Sequence, residues 1–329
     1  MRRTTTAAIV ATLAITMTGF AAVPASAADA AAVCSGAMLS TADLSTGCTV
    51  DPGTTLALPD GRTVVVPAPG TTLTVAPVVV AGAEDPGDLV VANAGAAGVA
   101  VRTEGAWSGS PAAVTRERAS LQRRVLGATV AAPGAVTTGA GATASCGSTA
   151  YSLTGHHWAG AIEWRYNPAN AKASNVSALR AGADAWTGSI TSCGRTVTST
   201  AAEQYLGTAK QAPALTDQGG CGAANRYSVT GWGALPTGTL GVTCVWSRSG
   251  VAVEMDQRYS TRYLWASTAT CSGNRYDFRG VATHEWGHAY GLGHVDQATG
   301  QVMKSSATTC DVAQRTLGAG DARGISTLY

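Results

Sequence analysis

One stretch of twelve residues constrains this chain more than any other: Thr283 to His294, THEWGHAYGLGH. It carries His284, Glu285, His288, Gly291 and His294 in the spacing HExxHxxGxxH, and with them three of the five histidines of the chain. On a helix, His284 and His288 stand one turn apart on one face, so both imidazoles can reach a single ion. Glu285 follows the first of them, where its carboxylate can approach a metal-held water without becoming a ligand. Gly291 can take the left-handed conformation that ends a helix, which turns the chain so that His294 supplies a third nitrogen. Three histidines with a fourth position open describe a catalytic zinc site rather than a closed structural one. With five His, seven Glu and 40 Gly in 329 residues, the pattern would arise by chance roughly three times in a million such chains. Coincidence does not explain it.

The rest of the chain reads as two parts joined by a linker. Residues 125–145 are almost wholly Gly, Ala, Thr, Val and Pro, the composition of a linker. Residues 28–124 contain short Val-rich runs, Thr63–Val66, Thr72–Val80 and Leu89–Ala92, separated by Pro and Gly turns, which predicts a small β-rich unit. It ends in a charged stretch closing on Arg123-Arg124, a processing point or a solvated helix end. From residue 146 to 329 the periodicity changes. Ile162, Trp164 and Tyr166 alternate with Glu163 and Arg165, a strand with one buried face. Asn175 can cap a helix whose apolar residues Val176, Leu179, Ala183, Trp186 and Ile190 recur at helical spacing. Thr196–Thr200 is a second strand, and Leu240–Trp246 and Val251–Met255 are strands joined by the turn Ser247–Gly250. Asp277 is the expected N-cap of the helix that carries the motif.

Export is the expected fate. Arg2 and Arg3, the apolar run Ala7–Val23 and the small-residue site Ala25-Ser26-Ala27 make residues 1–27 a secretory signal, and no later segment has the roughly 20 apolar residues of a membrane span. In an oxidising compartment the eight cysteines are expected to pair, and none has CxxC spacing. Cys34 with Cys48 and Cys271 with Cys310 are the pairs expected; the others stay open. The formal charge of +2 excludes the broad basic surface of a nucleic-acid binder. Nothing in the sequence speaks to oligomeric state.

These motif residues resemble the metzincin zinc endopeptidases, and in detail the matrixin branch. Asp277-Phe278 leads into Val281-Ala282-Thr283-His284-Glu285 as in the matrixin active-site helix, and Gly291-Leu292-Gly293-His294 closes it similarly. Met303, nine residues after His294, stands where the family places its Met-turn, and Leu317, Asp321, Gly324, Ile325, Leu328 and Tyr329 resemble the closing helix. The resemblance implies an α+β fold: a twisted mixed sheet, an active-site helix and a C-terminal helix, preceded here by the β-rich N-terminal unit. It implies a secreted, extracellular enzyme that hydrolyses peptide bonds in protein or peptide substrates. Zinc held by His284, His288 and His294 would lower the pKa of water and polarise the scissile carbonyl. Glu285 would be the general base and Met303 a hydrophobic floor beneath the ligands. The substrate would lie extended along an edge strand, for which the hairpin Leu240–Met255 is the candidate.

The chain also departs from that family. Val295 and Lys304-Ser305 stand where matrixins usually have Ser and Tyr-Pro, and no PRCGxPD motif offers a thiol to the zinc, although Cys34 or Cys48 could do so. A second, structural zinc lacks ligands, since only adjacent His156 and His157 remain, a pair expected on the surface or in hydrogen bonds. Calcium needs only oxygen ligands and stays possible. Residues 28–124 are either a propeptide or a binding module. The alternative function is a secreted binding or cell-envelope protein whose zinc domain is inactive or hydrolyses a non-protein amide.

Overall fold

The computed structural model describes residues 32–103, 105–127, 144–173 and 176–329, so the expected signal (1–27), most of the expected linker and the Asn175 cap lie outside the described residues. The architecture is α+β. Its centre is a ten-stranded mixed sheet, and its strands in chain order are β1 (Thr71–Val80), β2 (Leu89–Asn93), β3 (Val99–Thr103), β4 (Ala106–Gly109), β5 (Ile162–Tyr166), β6 (Glu203–Thr208), β7 (Ser228–Gly233), β8 (Thr239–Arg248), β9 (Val251–Ser260) and β10 (Ser306–Ala307). The spatial order is β6-β5-β7-β9-β8-β1-β2-β3-β4, with β10 also pairing β1. From β6 to β9 neighbours are parallel; β8 is antiparallel to β9 and to β1, and β1 to β4 form an antiparallel meander. The β-rich N-terminal residues and the motif-bearing residues therefore contribute to one continuous sheet, joined where β1 meets β8 through nine registered pairs.

The helices longer than about one turn are α1 (Pro111–Gly127), α2 (Val176–Asp184), α3 (Phe278–Tyr290) and α4 (Ala319–Leu328). Arg123-Arg124 falls in the last turns of α1. The helix expected to run to Ile190 stops at Asp184: a turn through Trp186 and Thr187 and Gly188 at φ +65° lead into the hairpin Gly188–Ser192/Arg195–Ser199. Trp186 and Ile190 kept the helical rhythm because helix and hairpin both bury against the same core. That hairpin takes up the expected strand at Thr196–Thr200, while the strand that pairs with β5 is β6.

Alternation along β8 separates two cores, since successive strand residues face opposite sides of a sheet. One contains Val245, Val78, the helices α2, α3 and α4, the tryptophans Trp164, Trp186 and Trp286, and Leu240, which lies at the register shift between Thr239 and Gly241 where the alternation breaks. The indoles of Trp164 and Trp286 meet edge to face at 5.2 Å, and Trp186 donates its Nε1–H to the Thr283 carbonyl at 2.8 Å, which satisfies its one polar atom in the interior. The other core joins Val242, Cys244 and Trp246 of β8 to Leu73, Val75, Leu89, Val91 and the residues around a three-stranded sheet, Met38–Ser40, Thr55–Ala57 and Thr63–Val65. Both expected disulfides are present, Cys34–Cys48 and Cys271–Cys310, together with Cys146–Cys193 and Cys221–Cys244. No thiol at Cys34 or Cys48 is left to reach a metal.

Candidate active site

Helix α3 begins where Asp277 accepts the Gly280 N–H at 2.6 Å, an N-cap held in turn by an ion pair with Arg315. It ends at Gly291, whose φ of +114° is left-handed, with its N–H bonded to the Gly287 and His288 carbonyls. A Cβ at Gly291 would lie 2.2 Å from the His156 carbonyl oxygen, so sterics as well as φ require glycine there. His156 itself is buried and hydrogen-bonded, to Thr154 at 3.0 Å and to the His288 carbonyl at 3.2 Å.

Three imidazoles converge. The Nε2 atoms of His284, His288 and His294 stand 2.9, 3.1 and 3.2 Å apart. Each Nδ1 is engaged elsewhere: His284 with the Val302 carbonyl at 2.7 Å, His288 with the Leu292 carbonyl at 2.9 Å, His294 with Asp88 at 2.9 Å. A carbonyl oxygen only accepts, so the Nδ1 atoms of His284 and His288 carry the protons and their Nε2 lone pairs point inward. Lone pairs that meet without a donor repel. A cation relieves that, and the spacing approaches the roughly 3.3 Å between tetrahedral ligands about 2.0 Å from zinc. The donor set fits zinc. Burial, then the neighbouring imidazoles, hold His284 well below the usual histidine range, and burial brings His288 down to about 3, so both stay neutral. Burial also acts against a charge on His294, but Asp88 outweighs it and raises that histidine. Burial likewise opposes the Asp88 charge, yet the adjacent His294 leaves its carboxyl well below the ordinary range.

Glu285 lies under β8. Thr243 donates its hydroxyl to Glu285 Oε2 at 2.5 Å, and Gly241 leaves room for the carboxylate: a Cβ there would be 2.6 Å from Oε1. Burial pushes the Glu285 carboxyl up to about 8, partly offset by the Thr243 bond. Below the histidines, Met303 is buried with its sulfur against Gly287, where a Cβ would be 2.2 Å away. Asp321 of α4 fixes this turn, accepting the N–H groups of Val302 at 2.7 Å, Gly318 at 2.8 Å and Met303 at 3.3 Å. The same Val302 presents its carbonyl to His284, so one buried carboxylate orients both the Met303 turn and the His284 imidazole.

Residues 202–329 match the family described as Matrixin. This C-terminal segment is matrixin-like, and the three clustered histidines within it could hold the zinc that the family uses. No curated protein matches the chain. The residues of the HExxHxxGxxH motif and Met303 fall within the matched segment, and three of them, His284, His288 and His294, converge. Asp88 does not: it lies 206 residues before His294, and no local pattern marks it. Thr243 and Gly241 were visible only as strand residues. Among the described residues no helix is long and apolar enough to cross a membrane.

Proposed function

We propose that the chain is a secreted zinc endopeptidase in which His284, His288 and His294 hold the ion, Glu285 is the general base and Met303 is the floor of the site. The convergence of three Nε2 atoms beside the Glu285 carboxylate carries this reading. Zinc, when bound, supplies Lewis-acid activation of water and of the scissile carbonyl. Thr243 holds Oε2 of Glu285 and Gly241 opens space at Oε1, so the carboxylate is aimed before substrate arrives. A carboxyl poised near neutrality by burial takes a proton from water and returns it to the leaving amine with little cost in either direction. A substrate main chain reaching Glu285 beside β8 would take the place that β1 holds in the folded chain, where strand addition supplies hydrogen bonds that do not depend on side chains.

Secretion rests on residues 1–27 and on four disulfides, which belong to oxidising compartments. The test is zinc content and chelator-sensitive casein hydrolysis of protein purified from culture medium, wild type against Glu285→Gln. Both should retain zinc, and the variant should lose on the order of 10²–10⁴-fold in rate. Hydrolysis by Glu285→Gln at the wild-type rate sinks the assignment and favours a different base or a non-peptidase role.

A further inference from the structure

Away from the metal site, three irregularities meet at one pocket of about 440 Å³, a volume in the range of small-ligand sites. The first is a β-bulge. Strands β8 and β9 pair Trp246 with Glu254 and Ser247 with Ala252, which leaves Val253 without a partner and 52% exposed in the pocket lining. The second is Arg226, also in the lining and held at φ +71°, a left-handed conformation uncommon outside glycine. Glu254, 2% exposed, fixes it there by accepting the N–H groups of Asn225 at 2.8 Å and Arg226 at 2.5 Å. The third is Trp246, 1% exposed in the pocket wall, whose indole N–H has no acceptor among the described residues. Each of these costs stability, and such costs collect where a chain holds side chains ready for a ligand.

The lining is one-sided in its chemistry. Arg226 and Arg248 border the pocket, and neither is in an ion pair among the described residues. Arg248 gives its Nε–H to the Thr71 hydroxyl at 3.2 Å, which leaves the rest of its fork to serve a ligand. The single acid of the lining, Glu254, spends its oxygens on main-chain N–H groups. Side-chain donors are left over, while Pro52, Val66, Pro67 and Val253 make the walls apolar. We propose that this pocket binds the C-terminal end of a peptide, its carboxylate paired with Arg226 and Arg248 and its last, apolar side chain against Val253, Val66 and the prolines. Guanidinium forks match a carboxylate in charge and in geometry. A chain end suits the place better than a small free acid, because apolar surface continues beside Arg226 at Tyr227, 48% exposed. Trp246 belongs to the core that does not contain the motif helix, so the inference holds whatever reaction the metal site performs.

The test is calorimetry on the full-length chain with the peptide acid N-acetyl-Ala-Ala-Phe as probe and its C-terminal amide and benzoate as controls. The acid should bind with a Kd of about 1 mM or lower, and the amide about ten-fold more weakly. Arg226→Gln and Arg248→Gln, both at exposed positions, should each weaken the acid by a similar factor and leave the amide unchanged, whereas Val253→Ser should weaken acid and amide alike. Acid binding untouched by both arginine replacements would put the carboxylate elsewhere, on the metal for instance, and overturn the proposal. Equal binding of acid and amide, or no binding of the acid, would do the same. Benzoate bound as tightly as the peptide acid would give the pocket to small acids and overturn the assignment to a chain end.

Discussion

Gly287 sits between the two helical histidines, and its replacement by alanine has a sign that separates packing from propensity. On an open helix face Gly→Ala stabilises by about 1 kcal/mol. Here a Cβ would meet the Met303 sulfur at 2.2 Å and Trp186 Cζ2 at 2.7 Å, both far inside contact distance. Neither neighbour yields freely. Trp186 is fully buried and tied by its indole N–H to the Thr283 carbonyl, and Met303 is 1% exposed with its backbone held by Asp321. Overpacking a filled core costs roughly 1–3 kcal/mol, and two clashes place this site in the upper half of that range. Set against the propensity gain, Gly287→Ala should lose about 1–2 kcal/mol, a fall of roughly 2–8 °C in Tm for a domain of this size. Because the strain falls on the residue beneath the ligands, zinc should also bind more weakly. Thermal denaturation of the metal-free chain, with a chelator titration of the loaded one, reads both. A Tm that rises by a few degrees would refute the packing of Met303 against α3.

Asp321 carries a pH signature. Burial raises its carboxyl to about 6 despite three N–H donors, so the folded state holds a proton that the unfolded chain, near 3.8, releases. Its contribution is complete below about pH 4 and is lost as pH rises through about 6, by at most about 3 kcal/mol. Asp321→Asn should flatten urea-unfolding stability across pH 4–6; an unchanged slope would remove Asp321 as its source. Asp88→Asn leaves His294 Nδ1 without its carboxylate and should weaken zinc binding 10–100-fold in competition with a chelator. Unchanged affinity would mean that the Asp88 contact orients nothing.

The clustering of the three histidines was legible because helical periodicity puts them within eleven residues: His284, His288 and His294 needed only a helix and a glycine stop, and Asp277 and Gly291 supplied both ends. Strands were legible where one face is buried, as in Ile162–Tyr166, or where β-branched runs are long, as in β1 and β8. What was hidden is pairing at long range. The expected substrate edge at Leu240–Met255 is covered, because β8 takes β1 as its neighbour across more than 150 residues of chain, and β-periodicity says which face a residue takes, never which strand lies beside it. Asp88 escaped notice for the same reason. The pair Cys221–Cys244 clamps β8 to the loop before β7, a closeness that only the sheet order reveals.

The central claim is that three imidazole nitrogens form one zinc site. Metal analysis of the purified full-length chain, wild type and His288→Ala, tests it most directly. The geometry predicts one tightly held zinc per wild-type chain and its loss from His288→Ala; zinc retained by the variant at the wild-type stoichiometry would contradict it.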